Sequence, residues 1–434
     1  MKLNQAHTAP SDWPLTTVAD VCSRFTSGGT PSRKNQTFYE RPGIPWVKTG
    51  ELLDCPIDDT EEHISQDGLD SSSAKLLPSG TVLMAMYGAT VGQLGIIRRP
   101  MACNQACAAM VIDERTSIPR FVYYLLLSQR EQIKGSAIGA AQQNLSAGRI
   151  KEYKFRIPPL SEQREIASIL GALDDKIELN RRMSATLEEM ARSLYRSWFV
   201  DFDPVHAKME GRQPAFMDEA TAALFPDRLG EDGLPEGWVH GCLGDIAVNP
   251  RTGVKPDQID PSTPYIGLEH MPKRCITLGD WGSAGDIGSQ KSAMSKGDFL
   301  FGKLRPYFHK VGISPVDGIC STDIIVVRPA TSAWGAFVLS VISSDEFVEH
   351  TNAGSSGTRM PRTNWKDMAR YEIVIPSEDV ATAFEATLAP ARARIIEGVH
   401  EAKTLASLRD SLLPKLMSGE LRVGEAREHI EEVA

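Results

Sequence analysis

No run of apolar residues in this chain approaches the roughly 18 to 20 needed to cross a bilayer. The opening Met1-Lys2-Leu3-Asn4-Gln5 has no apolar stretch of the kind that makes a secretory signal. These two absences predict a cytoplasmic protein with no membrane partner. Cysteine is also scarce: the 434 residues hold 7, an odd number scattered without paired spacing, which argues against a disulfide framework and fits a reducing compartment. Cys103 and Cys107 are the one close pair, and their apolar surroundings read as buried thiols rather than a zinc site.

The short motifs of common catalysis are missing too. There is no Gly-x-x-x-x-Gly-Lys-Ser/Thr loop for nucleotide phosphates, no Gly-x-Gly-x-x-Gly opening a βαβ unit, no Gly-x-Ser-x-Gly elbow and no His-Glu-x-x-His helix. An amino-methyltransferase would need Asn-Pro-Pro or Asp-Pro-Pro followed by an aromatic residue, and Asn249-Pro250-Arg251 is the nearest approach. Asp201, Asp203 and His206 could be drawn as a metal cluster, but in an acidic, Pro- and Gly-punctuated segment they read as solvated side chains. The chain is expected to recognise rather than to catalyse.

Excess positive charge is absent as well, the net charge being −9. Its distribution matters more than its sum. Residues 1–160 carry 17 Lys and Arg against 15 Asp and Glu, and residues 235–376 carry 14 against 15, whereas residues 161–234 carry 9 against 15. The acidity lies in connecting segments, so local basic faces remain open to the two flanking blocks.

Those two blocks are copies of one another at an offset of about 217 residues. Ile44-Pro45-Trp46-Val47 answers to Thr263-Pro264-Tyr265-Ile266, Leu77-Pro78-Ser79-Gly80 to Met294-Ser295-Lys296-Gly297, and Cys103 to Cys320. Each block closes alike, with Phe155-Arg156-Ile157-Pro158 or Ile373-Val374-Ile375-Pro376 leading into a long helix. A period this long marks a duplicated module, not a solenoid. Strands are expected at Gly80–Met86, Ala108–Asp113, Asp298–Gly302 and Ile319–Arg328, and helices at Arg120–Lys134 and Trp334–His350.

After each block, apolar residues recur at alternating four- and three-residue steps. The first series is Ile166, Leu170, Leu173, Ile177, Leu187, Ala191, Leu194 and Trp198, with Asn180 and Ser184 interrupting the seam. The second runs from Val380 and Phe384 to Leu408 and Leu412 and stops before Pro414. This is coiled-coil periodicity. The fold expected is two α/β (α+β) modules in a pseudo-two-fold arrangement, joined by two long antiparallel coiled-coil helices. The divisions are a first module at 1–160, a central helix at 161–200, a connector at 201–234, a second module at 235–376, a distal helix at 377–418 and a charged, frayed tail at 419–434.

Each module carries three polar, conformationally permissive loops at corresponding places. In the first module they hold Thr30, Ser32, Arg33 and Lys34; then Tyr87, Thr90 and Gln93; then Gln142, Gln143, Asn144 and Arg149. In the second they hold Arg251 and Lys255; then Lys303, Arg305 and Tyr307; then Thr358, Arg359 and Arg362. Arg and Lys suit guanine edges or phosphates, and Gln and Asn suit adenine. One such loop alone is an ordinary turn. Three matched loops that keep their place and change their residues suggest two surfaces reading different sequences.

Here the chain resembles the specificity subunits of type I restriction-modification systems. The resemblance covers nearly the whole length and is carried by Ser27-Gly28-Gly29-Thr30-Pro31-Ser32, Ile157-Pro158-Pro159-Leu160 with Glu162-Gln163, Leu173-Asp174-Asp175-Lys176-Ile177-Glu178-Leu179-Asn180, Ser197-Trp198-Phe199-Val200-Asp201-Phe202, and Leu412-Leu413-Pro414-Lys415-Leu416-Met417-Ser418-Gly419-Glu420-Leu421. The second module departs from it at its entry, where Asn249-Pro250-Arg251 stands in place of the Gly-Gly-Thr-Pro loop. The resemblance implies two target-recognition domains that bind a bipartite, asymmetric site on double-stranded DNA, one half each. It also implies docking of two modification (methyltransferase) subunits, and of restriction (motor-nuclease) subunits. Cofactors would then belong to the partners, S-adenosylmethionine to the methyltransferase and ATP with Mg to the nuclease, with none in this chain. A reading of another class is a non-catalytic protein scaffold with duplicated binding modules.

Overall fold

The structure is a computed structural model that describes residues 10, 12–135, 144–285, 287–355 and 360–433. It divides into two compact units, one comprising residues up to Lys176 together with Leu405 onward, the other Ile177–Thr404.

The first unit is built on a five-stranded sheet in the order Cys22–Ser27, Cys107–Ile112, Val82–Ala85, Leu94–Ile97 and Cys55–Ile57. The central strands Val82–Ala85 and Cys107–Ile112 are almost entirely apolar and buried, as strands covered on both faces must be. A smaller sheet sets Ile44–Val47 beside His63–Ile64 and, in parallel, beside Ala102–Cys103, with Val47 opposite Cys103. The strand Leu15–Thr17 pairs antiparallel with Lys154–Arg156 and so ties the start of the module to its exit.

The second unit repeats this plan. Phe299–Gly302 lies between Ile324–Pro329 and Val311–Ile313, Ile266 stands opposite Cys320 in a parallel pair, and Val239–Cys242 closes on Glu372–Ile375. The duplication read from the sequence therefore extends to strand register.

The central helix runs Leu160–Phe199 and the distal helix Glu378–Ser418. Within each unit the two run antiparallel. In the first, the Asp174 carboxylate accepts from Arg409, and Glu162 meets Arg422 beyond the helix end. In the second, Asn180 faces Gly398 while Phe199 packs on Phe384, ring centroids 4.8 Å apart. The interruptions at Asn180 and Ser184 are buried, not solvent-facing: Asn180 donates to Glu401 (3.0 Å) and accepts from Arg394 (3.2 Å). A satisfied polar layer of this kind favours one register of a helix pair.

Several expected boundaries shift for local reasons. The single strand expected over Ile319–Arg328 is two, Gly318–Cys320 and Ile324–Pro329, because the Ser321 hydroxyl accepts the Asp323 N–H and turns the chain. The helix expected over Trp334–His350 breaks into Gly335–Ile342 and Asp345–Ala353, where Ser344 caps Phe347. That over Arg120–Lys134 breaks at Gln129. The distal helix does not stop before Pro414. Proline in a helix interior costs about 3 kcal/mol, but Leu412, Leu413, Leu416 and Met417 are all buried in the first unit's core, and each such burial returns about 1.5–3 kcal/mol. Burial wins, and the helix continues to Ser418.

Two segments expected to be solvated are not. In the connector, Val205 and Phe225 are buried, and Phe225 meets Trp198 edge-on at 5.0 Å. Beyond Ser418 the chain forms a further helix, Val423–Val433, whose Val423 and Ala426 are buried in the first unit's core.

The first unit also holds a buried ion pair. Asp174, 6% exposed, accepts from Arg409 at 2.8 Å and from the Tyr124 hydroxyl at 2.6 Å. Removing one partner strands the other charge, so Arg409→Met is expected to cost about 3–5 kcal/mol. Adding Asp174→Asn should restore part of that loss. Urea unfolding of the single and double variants checks both.

Candidate functional site

The central hairpin of each module ends in a seven-residue loop, Met86–Gly92 in the first and Lys303–His309 in the second. One closing bond is equivalent, Ala85 N–H to Gln93 O in the first and Gly302 N–H to Lys310 O in the second; the first adds Gly92 N–H to Ala85 O, whereas His309 N–H in the second turns back to Pro306 O. Two further segments hold each loop. Met86 N–H reaches Ala106 O (2.9 Å) as Lys303 N–H reaches Asp323 O (2.9 Å). Leu145 N–H reaches Met86 O (2.9 Å) as Thr363 N–H reaches Lys303 O (3.1 Å). Isolated β-bridges pair Tyr87 with Asn144 and Leu304 with Arg362. The third segment then enters a short helix through a matched cap, Ser146 accepting from Arg149 N–H and Asn364 from Asp367 N–H. The structure thus brings the second and third predicted loops of each module together on one backbone framework.

In the first module the entry loop joins them through Asn104–Cys107. Gly28 and Gly29 donate to Cys107 O (3.4 Å) and Cys103 O (2.9 Å), and the Thr30 hydroxyl bonds Gln105. A methyl group on Gly28 would lie 1.9 Å from Cys103 O, so the Gly-Gly pair serves close backbone approach rather than ligand contact. Arg33 is held within the chain, its guanidinium 4.3 Å from the Tyr39 ring centroid and paired with Glu62. Ser32 and Lys34 are exposed. Tyr87 is 44% exposed, the Thr90 hydroxyl donates to Tyr87 O, and Gln93 is half-buried in the closing pair. Asn144 and Arg149 are exposed, while Gln142 and Gln143 lie outside the described residues.

In the second module the three segments line a groove of about 320 Å³. Its walls include Asn249, Arg251, Lys291, Lys303, Thr322, Thr363 and Trp365, and no carboxylate lines it among the described residues. Lys255, Arg305, Tyr307 and Arg362 are outside its lining. Lys255 is exposed, Tyr307 is 51% exposed beside Phe308, and Arg362 faces Asp323 at 3.4 Å. Thr358 and Arg359 lie outside the described residues. The loop is anchored by His309, whose Nε2 is 3.0 Å from Ser343 O and whose Nδ1 is 3.3 Å from Asp345. Burial holds that imidazole below its usual range.

Sequence reasoning missed Gln290, Lys291 and Thr322 as groove residues. Thr322 could have been found, since it stands at the 217-residue offset from Gln105, just after the Cys103 and Cys320 landmarks. Lys291 stands at the same offset from Ala74, an apolar position in no predicted loop, so nothing in the first module marks it. Gly253 backs onto Gln290 in the second module as Gly29 backs onto Ser73 in the first.

Fold and site together define a class: a duplicated α+β protein that presents two related but chemically different loop junctions. The type I restriction modification DNA specificity domain model matches residues 10–189. The specificity subunit of the type I restriction enzyme MjaIX from Methanocaldococcus jannaschii is 25% identical over 433 residues, covering 96% of this chain and 95% of the relative. That of HindI from Haemophilus influenzae is 22% identical over 485 residues, covering 95% of this chain and 100% of the relative. A crystal structure of a type I restriction-modification system S subunit from M. genitalium shares the fold at a TM-score of 0.56 and 16% identity, over 96% of this chain and 98% of that one. Residues 10–189 thus match the type I specificity domain, and over nearly its whole length the chain is similar to type I restriction enzyme specificity subunits.

Thr363 is 3% exposed and its hydroxyl has no partner among the described residues. An unpaired buried hydroxyl costs about 1–3 kcal/mol. Thr363→Val removes it at nearly constant volume and is expected to stabilise the second unit by about 1 kcal/mol. The shift in its denaturation midpoint is the measurement.

Proposed function

We propose that this chain directs a type I restriction-modification complex to a bipartite, asymmetric sequence in double-stranded DNA, each module reading one half. The observation that carries this reading is the repeated loop framework. The same hydrogen bonds hold Tyr87 and Asn144 in the first module and Lys303, Arg305 and Arg362 in the second. A shared scaffold with different donors and acceptors is what reading two different half-sites requires. The cation-lined groove of the second module suits an anionic or acceptor-rich ligand.

The paired helices, 40 and 41 residues long, are proposed to fix the gap between half-sites and to dock two methyltransferase subunits, with motor-nuclease subunits completing a cleaving complex in the cytoplasm. At about 1.5 Å per residue each helix spans roughly 60 Å, a rigid element of suitable length for spacing paired DNA readers. S-adenosylmethionine, ATP and Mg would be held by those partners, and a flipped target base would be handled by the methyltransferase.

The test is adenine methylation mapped across the genome by single-molecule sequencing, with the chain co-expressed with its genomic neighbours. A split motif should vanish on deletion of this chain, and exchanging one module should change one half only. Methylation that ignores the chain would overturn the reading in favour of a protein scaffold. Inserting one helical turn at matched points of both long helices should lengthen the gap while leaving both halves intact. An unchanged gap would remove the spacing role.

A further inference from the structure

The two hairpin loops have equal length and equivalent anchoring bonds, so their positions correspond residue by residue. Met86, 3% exposed, corresponds to Lys303, which lines the groove. Leu145, fully buried, corresponds to Thr363 with its unpartnered hydroxyl. Gly88 (φ 73°) and Gly92 (φ 79°) correspond to Arg305 (φ 53°) and His309 (φ 50°). At two places where the backbone is left-handed and the first module uses glycine, the second module carries large side chains in a conformation that L-residues disfavour.

For His309 the structure supplies the reason, since its ring anchors the loop to Ser343 and Asp345. Arg305 has no such role. Its backbone N–H is tied to Pro361 O (2.8 Å), and its guanidinium carbon lies 5.9 Å from the Phe308 ring centroid. Its Nε is buried without a partner, and no carboxylate or other acceptor takes its side-chain donors among the described residues. A guanidinium at a strained position, with its donors unused among the described residues, is arranged for an acceptor outside them.

We infer that Arg305, supported by Lys303 and Thr363, is the specificity-determining residue of the second module and takes the O6 and N7 acceptors of a guanine in that half-site. The inference rests on the reading of the chain as a DNA specificity subunit. The guanidinium fork matches two adjacent acceptors, a pattern guanine alone presents in the major groove; adenine offers a donor beside its acceptor. A phosphate contact makes no comparable demand. A flexible cation on unstrained backbone, such as Lys255, would serve it as well. The first module, with Gly88 at this place, has no counterpart and must read its half-site by other groups.

The decisive experiment uses the full chain assembled with its methyltransferase subunits and compares wild type with Arg305→Gly and Arg305→Lys. Arg305→Gly installs the first module's own residue, so its thermal midpoint should be unchanged or higher. The methylated motif should become degenerate at one guanine of one half-site, with the other half intact. Methylation rates on duplexes varied at that position should show about a 10- to 100-fold loss of discrimination, the range expected for one bidentate base contact. Arg305→Lys keeps the charge but not the fork, and should lose discrimination similarly. A motif retained at every position with methylation lowered uniformly, or degeneracy at a base other than guanine, would overturn the inference while leaving the specificity reading standing. A wild-type complex that methylates no split motif would overturn both.

Discussion

The larger core of each module is not closed by the module's own residues, and the rest of the structure depends on how that deficit is met. In the first unit, Ile166, Leu170 and Leu173 of the central helix and Leu412, Leu413 and Leu416 of the distal helix are buried with Phe121 and Leu125 of the module. In the second, Trp198, Phe199, Phe384 and Leu388 are buried with Phe337, and the Phe199 ring meets both Phe337 and Phe384 edge-on at 4.8 Å. Each of these side chains contributes about 1.5–3 kcal/mol. The apolar seam of a helix and the half-finished face of a module are thus one surface, which is why a helix end keeps its form through Pro414.

A core closed in this way leaves the loops free. The hairpin and its two neighbouring segments are held by main-chain hydrogen bonds, which are indifferent to side-chain identity. Exchanging Met86 for Lys303 or Tyr87 for Leu304 leaves that frame unchanged. Variation can then collect at the loop surface without touching the buried parallel pairs Val47–Cys103 and Ile266–Cys320. Variable loops positioned by a rigid scaffold are a general solution to this problem, and here the same frame occurs twice in one chain with two different loop surfaces.

The parts legible in the sequence were those written as long-range pattern. The duplication, the two helical seams and the correspondence of the central loops all follow from spacing and offset, because periodicity and register are global constraints. What escaped was decided by single local contacts. The Ser321 and Ser344 caps that split a strand and a helix are one hydrogen bond each. The docking of Val423 and Ala426 depends on a core assembled from distant segments. Arg33 looked like a free cation and is stacked on Tyr39 beside Glu62. Lys291 joins the groove from the place that the apolar Ala74 holds in the first module.

Local and global preferences agree through most of the described residues, and one group of exceptions is informative because the two modules can be compared there. Among the described residues, buried side-chain atoms without a hydrogen-bond partner occur in both units, on Ser117, Tyr123 and Arg130 in the first and on Arg305, His309 and Thr363 in the second, the last three all at the second module's loop junction. The same junction holds two left-handed non-glycine residues where the first module shows that glycine suffices. An unpaired hydroxyl, an unpaired guanidinium nitrogen and a strained backbone each oppose folding by about 1–3 kcal/mol. The equivalent frame in the first module has Gly88, Gly92 and the buried Leu145 in place of Arg305, His309 and Thr363. A junction that one copy builds from glycine and leucine does not need Arg305 or Thr363 in order to fold, which sets these residues apart from the rest of the module's core.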